Sequence, residues 1–220
     1  MKSVVQQAQT KISRELETYP AGYPEFKRAL DIVGGFFGLC IFTALYPIIG
    51  LAIKLDSRGP VLVALERVSK GKIIKLYKFR SMIAGAHSQK VLLAPFNERR
   101  DGPFFKMKHD PRLTRFGKVI RRFRLDEMPQ FINVLRGELS LVGPRPHEPE
   151  EISQYPSEYA FLQNCLAGIT GLSQVSGASS LAFAKELELD AQYAKHVSLA
   201  FDLKIIGKTI AILLFDPSAV

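Results

Sequence analysis

The sequence predicts a mainly α-helical protein with one small β-hairpin, an α+β chain whose first long element is a helix for the membrane. Three observations predict it. Residues 32–53 form an apolar run without a single charge. Two stretches rich in Val, Ile, Leu and aromatics, 60–68 and 72–79, flank Ser69-Lys70-Gly71 and read as a hairpin. Most of the remaining sequence has helical periodicity punctuated by Gly and Pro. Composition agrees, since 47% hydrophobic and 23% charged residues are too apolar for an ordinary soluble domain and too polar for a many-span membrane protein.

Residues 1–25 are polar and end in Pro20, Gly22 and Pro24, which predicts a short arm closed by a turn. The membrane segment is then 26–58 and the remaining unit 59–220. At helical rise the apolar run is about 33 Å long, enough for a bilayer core. No small-residue cleavage site follows it, so it is expected to be retained. Lys27 and Arg28 precede it and Lys54 and Arg58 follow it, so both ends are expected on the cytoplasmic side. Pro47 breaks one helical hydrogen bond and predicts a kink, with the Thr43 hydroxyl available to a freed carbonyl. A plain spanning anchor and a helix that re-enters by the same face both satisfy this pattern.

After the hairpin, 83–105 is expected to hold a helix followed by loop, and 113–122 and 128–136 are expected to be helices, the second ended by Gly137. The segment GPRPHEP reads as a turn. A helix is expected over 148–164, loop over 168–180, and helix over 182–215 with breaks near Ser198 and Gly207. The stretch 205–215 is too short to span and is expected in the membrane interface or on the core.

Thirty Lys and Arg against 21 acids give a net charge of +9, which implies an anionic partner: lipid, nucleotide or nucleic acid. Cys40 and Cys165 are too few and too distant for a disulfide framework or a zinc site. His87, His109, His147 and His196 lack metal-ligand spacing and read as surface or loop residues.

The chemistry concentrates in RRFRLDEMPQ at 121–130. Asp126 and Glu127 follow a run of cations that favours their ionised forms, which suits metal binding or nucleophilic attack better than proton donation. Pro129 suits a first helical turn, so Asp126 reads equally as a helix cap. Adjacent helical residues point about 100° apart, so the two acids are expected to split roles rather than share a proton. Arg145, pinned between Pro144 and Pro146, is either a surface turn residue or a preorganised phosphate ligand.

KRALDIV at 27–33, KLDSRGPV at 54–61, YKFRSM at 77–82, the block DPRLTRFGKVIRRFRLDEMPQFINVLRGELSLVGPRP at 110–146 and GITGLSQVSG at 168–177 resemble, in order and spacing, the bacterial sugar transferase family. These are the monotopic polyprenyl-phosphate phosphoglycosyl transferases, and this sequence reads as their short form. The resemblance implies a re-entrant membrane helix kinked at Pro47, a catalytic domain facing the cytoplasm at the bacterial inner membrane, and interfacial amphipathic helices. It implies transfer of a sugar phosphate from a nucleotide sugar, UDP being the expected nucleotide, to polyprenyl (undecaprenyl) phosphate. Asp126 matches the nucleophile, Glu127 the second acid, and both the expected Mg2+ ligands. Lys78, Arg80, Arg121 and Arg145 match phosphate- or substrate-binding cations. Membrane lipid is the further expected partner, nucleic acid is not expected, and a homodimer is left open.

The pattern departs from the family at Thr43-Ala44, where a Ser-Pro is usual, and at Leu166-Ala167, Ser173 and Ala178, where Arg-Pro, Trp and Arg are usual. A donor-binding cation is thus expected to be missing, which keeps two alternatives in view: a catalytically impaired scaffold of a glycan-assembly complex, and a membrane-tethered basic module.

Overall fold

The computed structural model describes residues 23–177 and 180–215. The predicted N-terminal arm lies outside them up to residue 22, as does Ala178. Helix α1, Tyr23–Asp56, is 34 residues long, and Pro24 sits in its first turn, where a missing N–H leaves no helical bond unmade. It therefore begins before residue 26. Its most apolar window has mean hydropathy 2.2, and it fits a membrane anchor. The helix continues through Pro47. The Thr43 hydroxyl donates one turn back, to the Leu39 carbonyl at 2.8 Å, rather than to the carbonyl the proline frees.

The two faces of α1 meet different surroundings. Phe36, Phe37, Ile48, Leu51 and Leu55 are exposed, while Asp31, Gly35, Gly38, Phe42, Ile49 and Ile53 are buried. A helix apolar all round but covered on one side is suited to lipid on the other. The close approach on the covered side explains Gly38, since a Cβ there would come within 2.4 Å of the Phe131 ring. The charges heading the helix are spent on the domain. Lys27 donates to Asp202 at 2.8 Å and to the Val142 carbonyl at 2.7 Å. Arg28 donates to the Val134 and Leu135 carbonyls, both at 2.8 Å. Asp31 accepts from Ser140 Oγ and the Leu141 N–H.

Strands β1 (Leu62–Ser69) and β2 (Lys72–Phe79) pair antiparallel in the expected hairpin, with Ser69 opposite Lys72. Lys70 and Gly71 both have positive φ, +52° and +69°, as a two-residue type I′ turn requires. The helix expected within 83–105 is absent; two 3-10 turns, Ser88–Lys90 and Ala94–Phe96, stand there instead. Pro95 and Pro103 deny this segment a continuing N–H ladder.

Helix α2 spans Arg115–Arg122 and is capped by Thr114, whose hydroxyl accepts from the Gly117 N–H. A 3-10 helix, Leu125–Gln130, leads into α3, Phe131–Leu135, and Gly137 follows at φ +74°. Strand β3 (Ser140–Val142) then pairs in parallel with β4 (Gly168–Thr170), inside the segment read as loop. The single helix expected over 148–164 is divided by Pro156 into α4, Pro149–Ile152, and a 3-10 helix, Ser157–Asn164. A short helix α5, Leu172–Val175, precedes α6, Phe183–Lys195, and α7, Leu199–Phe215. The break near Ser198 is present, and α7 runs unbroken through Gly207. At its end Ile210, Leu214 and Phe215 are exposed, whereas Ile205 is buried against Val142 and Tyr193.

One side chain joins the hairpin to α3. Asn133, fully buried, donates from Nδ2 to the Lys75 carbonyl at 2.8 Å and accepts from the Tyr77 N–H at 3.1 Å. Asn133→Ala leaves both backbone groups unmet and is expected to lower stability by about 2–4 kcal/mol. Thermal unfolding of the detergent-solubilised protein measures this, and an unchanged midpoint would contradict it.

Candidate active site

The site is built around two carboxylates packed against the hairpin. The chain leaves α2 at Phe123, and Arg124 turns it back in the left-handed region at φ +53°. Leu125–Gln130 then follows as a 3-10 helix, whose tight winding sets consecutive side chains about 120° apart. Arg124 holds the capping position and no side chain caps there, so Asp126 is not the helix cap that its place before Pro129 allowed. Asp126 is buried, at 5% exposure, and Glu127 is half-buried beside it. Both carboxylates meet Lys78 of β2, whose Nζ lies 2.7 Å from Glu127 and 4.0 Å from Asp126. They open into a cleft of about 770 Å3, whose wall includes Lys78, Arg121, Arg124, Gln130 and Arg145.

The surroundings hold the acids apart in proton affinity. Burial opposes ionisation of Glu127, but Lys78, by charge and hydrogen bond, and then Arg145 and Arg124, override it and hold the carboxyl down to about 2. Burial dominates at Asp126 and raises its pKa, against the pull of Lys78 and Arg121 and with the charge of Glu127 adding to it. The cations thus fall on two sides. Lys78 and Arg121 face Asp126, whereas Lys78, Arg145 and Arg124 face Glu127.

The structure brings Lys78, Arg121 and Arg145 to the same cleft as the acids. Arg121 Nε donates to Ser81 Oγ at 3.0 Å. Arg145 is held from behind: Asp190 accepts its backbone N–H at 3.0 Å, and its Nε lies 4.0 Å from Glu186. Arg80 is differently employed. Its guanidinium is buried and donates to the carbonyls of Arg58, Ser57 and Ile53, among them carbonyls that the end of α1 leaves without helical donors. A side chain at Gly59 would collide with Arg80 Nη1. Arg80 therefore lines the cleft with its guanidinium committed to carbonyls at the end of α1.

Sequence reasoning passed over Arg124 and Gln130 as site residues, although RRFRLDEMPQ contains both; the signal for Arg124 is a bulky residue at a left-handed position. It read His147 as a surface or loop residue, and the loop holds it inside the protein rather than at the surface. His147 is buried, stacks on Phe104 with ring centres 4.3 Å apart, and lies 3.5 Å from the buried Glu186, which also takes Arg99 Nη1 at 3.2 Å. Of the departures in 166–178, Ala167 is buried in the core with Leu76, Val134 and Leu139, and Ser173 is fully buried in α5.

No group of three or more His, Cys, Asp or Glu among the described residues could hold a metal ion by itself. The two carboxylates alone still fit Mg2+, which is commonly bound by one or two carboxylates together with substrate phosphates and water.

Comparison with known proteins fits this geometry. The model of the family described as bacterial sugar transferase matches residues 23–216. The galactosyl transferase CpsE of Streptococcus agalactiae is 38% identical over 210 residues, covering 94% of this chain and 46% of the relative. The undecaprenyl-phosphate galactose phosphotransferase of Salmonella typhimurium is 37% identical over 192 residues, covering 86% of this chain and 40% of the relative. The exopolysaccharide production protein ExoY of Rhizobium meliloti is 35% identical over 190 residues, with 84% and 83% covered. The chain thus spans less than half the length of the first two and most of the third.

Two outcomes are expected of the cation assignments. Arg80→Met should lower stability by about 2 kcal/mol or more through the carbonyls it abandons and leave the affinity for inorganic phosphate unchanged, as calorimetric unfolding and phosphate titration would read. Lys78→Met should move the Glu127 carboxyl upward from about 2. Because the folded value then approaches the unfolded one, the stability that ionised Glu127 contributes above pH 4–5 shrinks. Carboxyl 13C NMR titration of the two proteins measures it.

Proposed function

The chain belongs to the bacterial sugar transferase family, and we propose that it transfers a sugar phosphate from a nucleotide sugar, UDP being the nucleotide, to undecaprenyl phosphate at the inner membrane. The observation that carries this reading is the buried Asp126–Glu127 pair held by Lys78 on the wall of a cationic cleft. The chemistry follows from the separation of the two acids. An Asp126 carboxylate oxygen attacks the sugar-bearing phosphorus, the bond to the bridging oxygen breaks, and its electron pair leaves with the nucleoside monophosphate. An oxygen of undecaprenyl phosphate then attacks the phosphorus of the aspartyl-phosphosugar, returning the electron pair to Asp126 and releasing undecaprenyl-diphosphate sugar.

Burial favours this nucleophile in one respect, because a desolvated carboxylate beside Lys78 and Arg121 loses little hydration on reaching phosphorus. Glu127, kept ionised, would hold Mg2+ together with Asp126 and the substrate phosphates, and the ion would supply neutralisation of phosphate charge. Gln130 lines the same wall and offers a neutral donor and acceptor to the substrate.

The re-entrant reading of α1 rests on both ends of the helix meeting one domain. Lys27, Arg28 and Asp31 bind it near the start, and Arg80 holds the carbonyls at the close. A helix crossing the bilayer perpendicularly would carry one end about 30 Å away from that domain. This supports a reading in which the cleft and both helix ends lie on the cytoplasmic side. The basic-module alternative is disfavoured by the acids that share the cleft, Asp110, Asp126, Glu127, Glu148, Glu151 and Glu186, which would repel a polyanion.

The test is release of nucleoside monophosphate from a panel of nucleotide sugars with undecaprenyl phosphate and Mg2+. Asp126→Asn is expected to abolish release and to remove a phosphosugar adduct seen by intact-protein mass spectrometry. Glu127→Gln and chelation of Mg2+ should each slow turnover by about 100-fold or more. A folded wild-type protein silent with every donor would favour the scaffold reading.

A further inference from the structure

A nucleotide sugar carries two adjacent phosphates, and the cleft offers two cationic seats. Lys78 and Arg121 form the first, around Asp126. The second lies on the Glu127 side, where Arg124 and Arg145 both face that acid and each other. The two seats differ in how far their charges are already used. Lys78 is paired with Glu127, and Arg121 donates to Ser81. Arg124 is half-buried, lines the cleft, and its guanidinium makes no hydrogen bond or ion pair with any described residue.

Two further observations give this arginine a purpose. The Arg124 guanidinium reaches the cleft with its donors uncommitted, desolvated, attracted by Glu127 and Asp126 and repelled by a second guanidinium, Arg145. An anion between the two arginines would take up those open donors and screen the repulsion between them. The backbone tells the same story: Arg124 is one of two non-glycine residues with positive φ among the described residues. The other, Lys70, serves the hairpin turn, whereas Arg124 stands in a left-handed position that glycine or asparagine would occupy with less strain. Strain of this kind persists where the surroundings or a ligand use the side chain.

We propose that Arg124, acting with Arg145, binds the phosphate that departs with the nucleoside. This deepens the reading given under Proposed function and rests on it for the direction of the reaction. When the bond between phosphorus and the bridging oxygen breaks, that oxygen keeps the electron pair and the departing phosphate goes from a monoanionic diester to a dianion. Arg124 meets the charge as it forms, and Lys78 and Arg121 remain with the phosphorus bound to Asp126.

The left-handed backbone makes the experiment clean. Arg124→Gly removes the guanidinium and relieves φ at the loss of one cation facing Glu127, so the variant is expected to stay folded and to unfold within a few degrees of wild type. Its affinity for uridine 5′-monophosphate, by isothermal titration calorimetry, should fall about tenfold or more, as loss of a charge-assisted hydrogen bond implies. Its kcat for the donor found active should fall by more than its KM changes, and Arg124→Lys should recover part of both. Arg124→Gly that binds uridine 5′-monophosphate as wild type does would overturn the proposal. So would a loss restored to no degree by lysine in a protein of unchanged stability. The nucleotide titration does not depend on turnover. A wild type that turns over no donor, with affinity still lost in Arg124→Gly, refutes the transferase reading and leaves the anion site standing.

Discussion

Burying two adjacent carboxylates is the constraint on which the rest of this structure depends. Two like charges on neighbouring residues repel, and removing them from water penalises each further. The fold answers by drawing cations from four separate elements onto one point: Lys78 from the hairpin, Arg121 from α2, Arg124 from the left-handed turn and Arg145 from the PRP segment. Three of those elements have their own anchorage. Asn133 fixes the hairpin to α3, Ser81 receives Arg121, and Asp190 receives the backbone of Arg145. The site is consequently a property of the whole domain, since loosening any support would return one carboxylate to an uncompensated state.

The membrane helix obeys the same economy of charge. Lys27 and Arg28 look like topology signals in the sequence, standing just before the apolar run. In the structure they are donors to Asp202 and to the carbonyls of Val142, Val134 and Leu135. The close contact at Gly38 lets the helix lie against Phe131, one residue after the 3-10 helix that carries the carboxylates. Helix and site are thereby coupled through α3, and a shift of α1 along the domain would reach Asp126 within a few residues.

What was legible in the sequence shares one property: a local signal strong enough to stand alone. The hairpin announced itself by two β-rich stretches around Lys70-Gly71, the end of α3 by Gly137, and the acid pair by its place within a basic run. Strands β3 and β4 were missed because three residues each carry no periodicity, and their pairing depends on Gly143 and Gly168 meeting across the chain. The helix expected in 83–105 failed because Pro95 and Pro103 outweighed a weak pattern. Arg80 and Arg121 are chemically identical in a sequence. Both line the cleft, and only the fold reveals that Arg80 commits its donors to carbonyls closing α1 while Arg121 gives one to Ser81. The burial of His147 was not legible for a related reason, since it depends on Phe104 and Glu186, distant in the chain.

The departures from the family pattern in 166–178 acquire a physical meaning from their surroundings. Ala167 is packed in the core, and Ser173 is buried without reaching the cleft. No guanidinium enters from this segment among its described residues. The wall behind Arg145 is instead self-neutralising, because Glu186 lies within 4.0 Å of Arg99, His147 and Arg145 and sets one acid against them. The cleft therefore has unequal ends, with unpaired positive charge concentrated beside Asp126 and Glu127 and a largely internally paired wall beyond. On the proposed reading, the diphosphate of a donor would be held by charge and the remainder by shape and hydrogen bonds. Discrimination between donors would then rest on the paired wall.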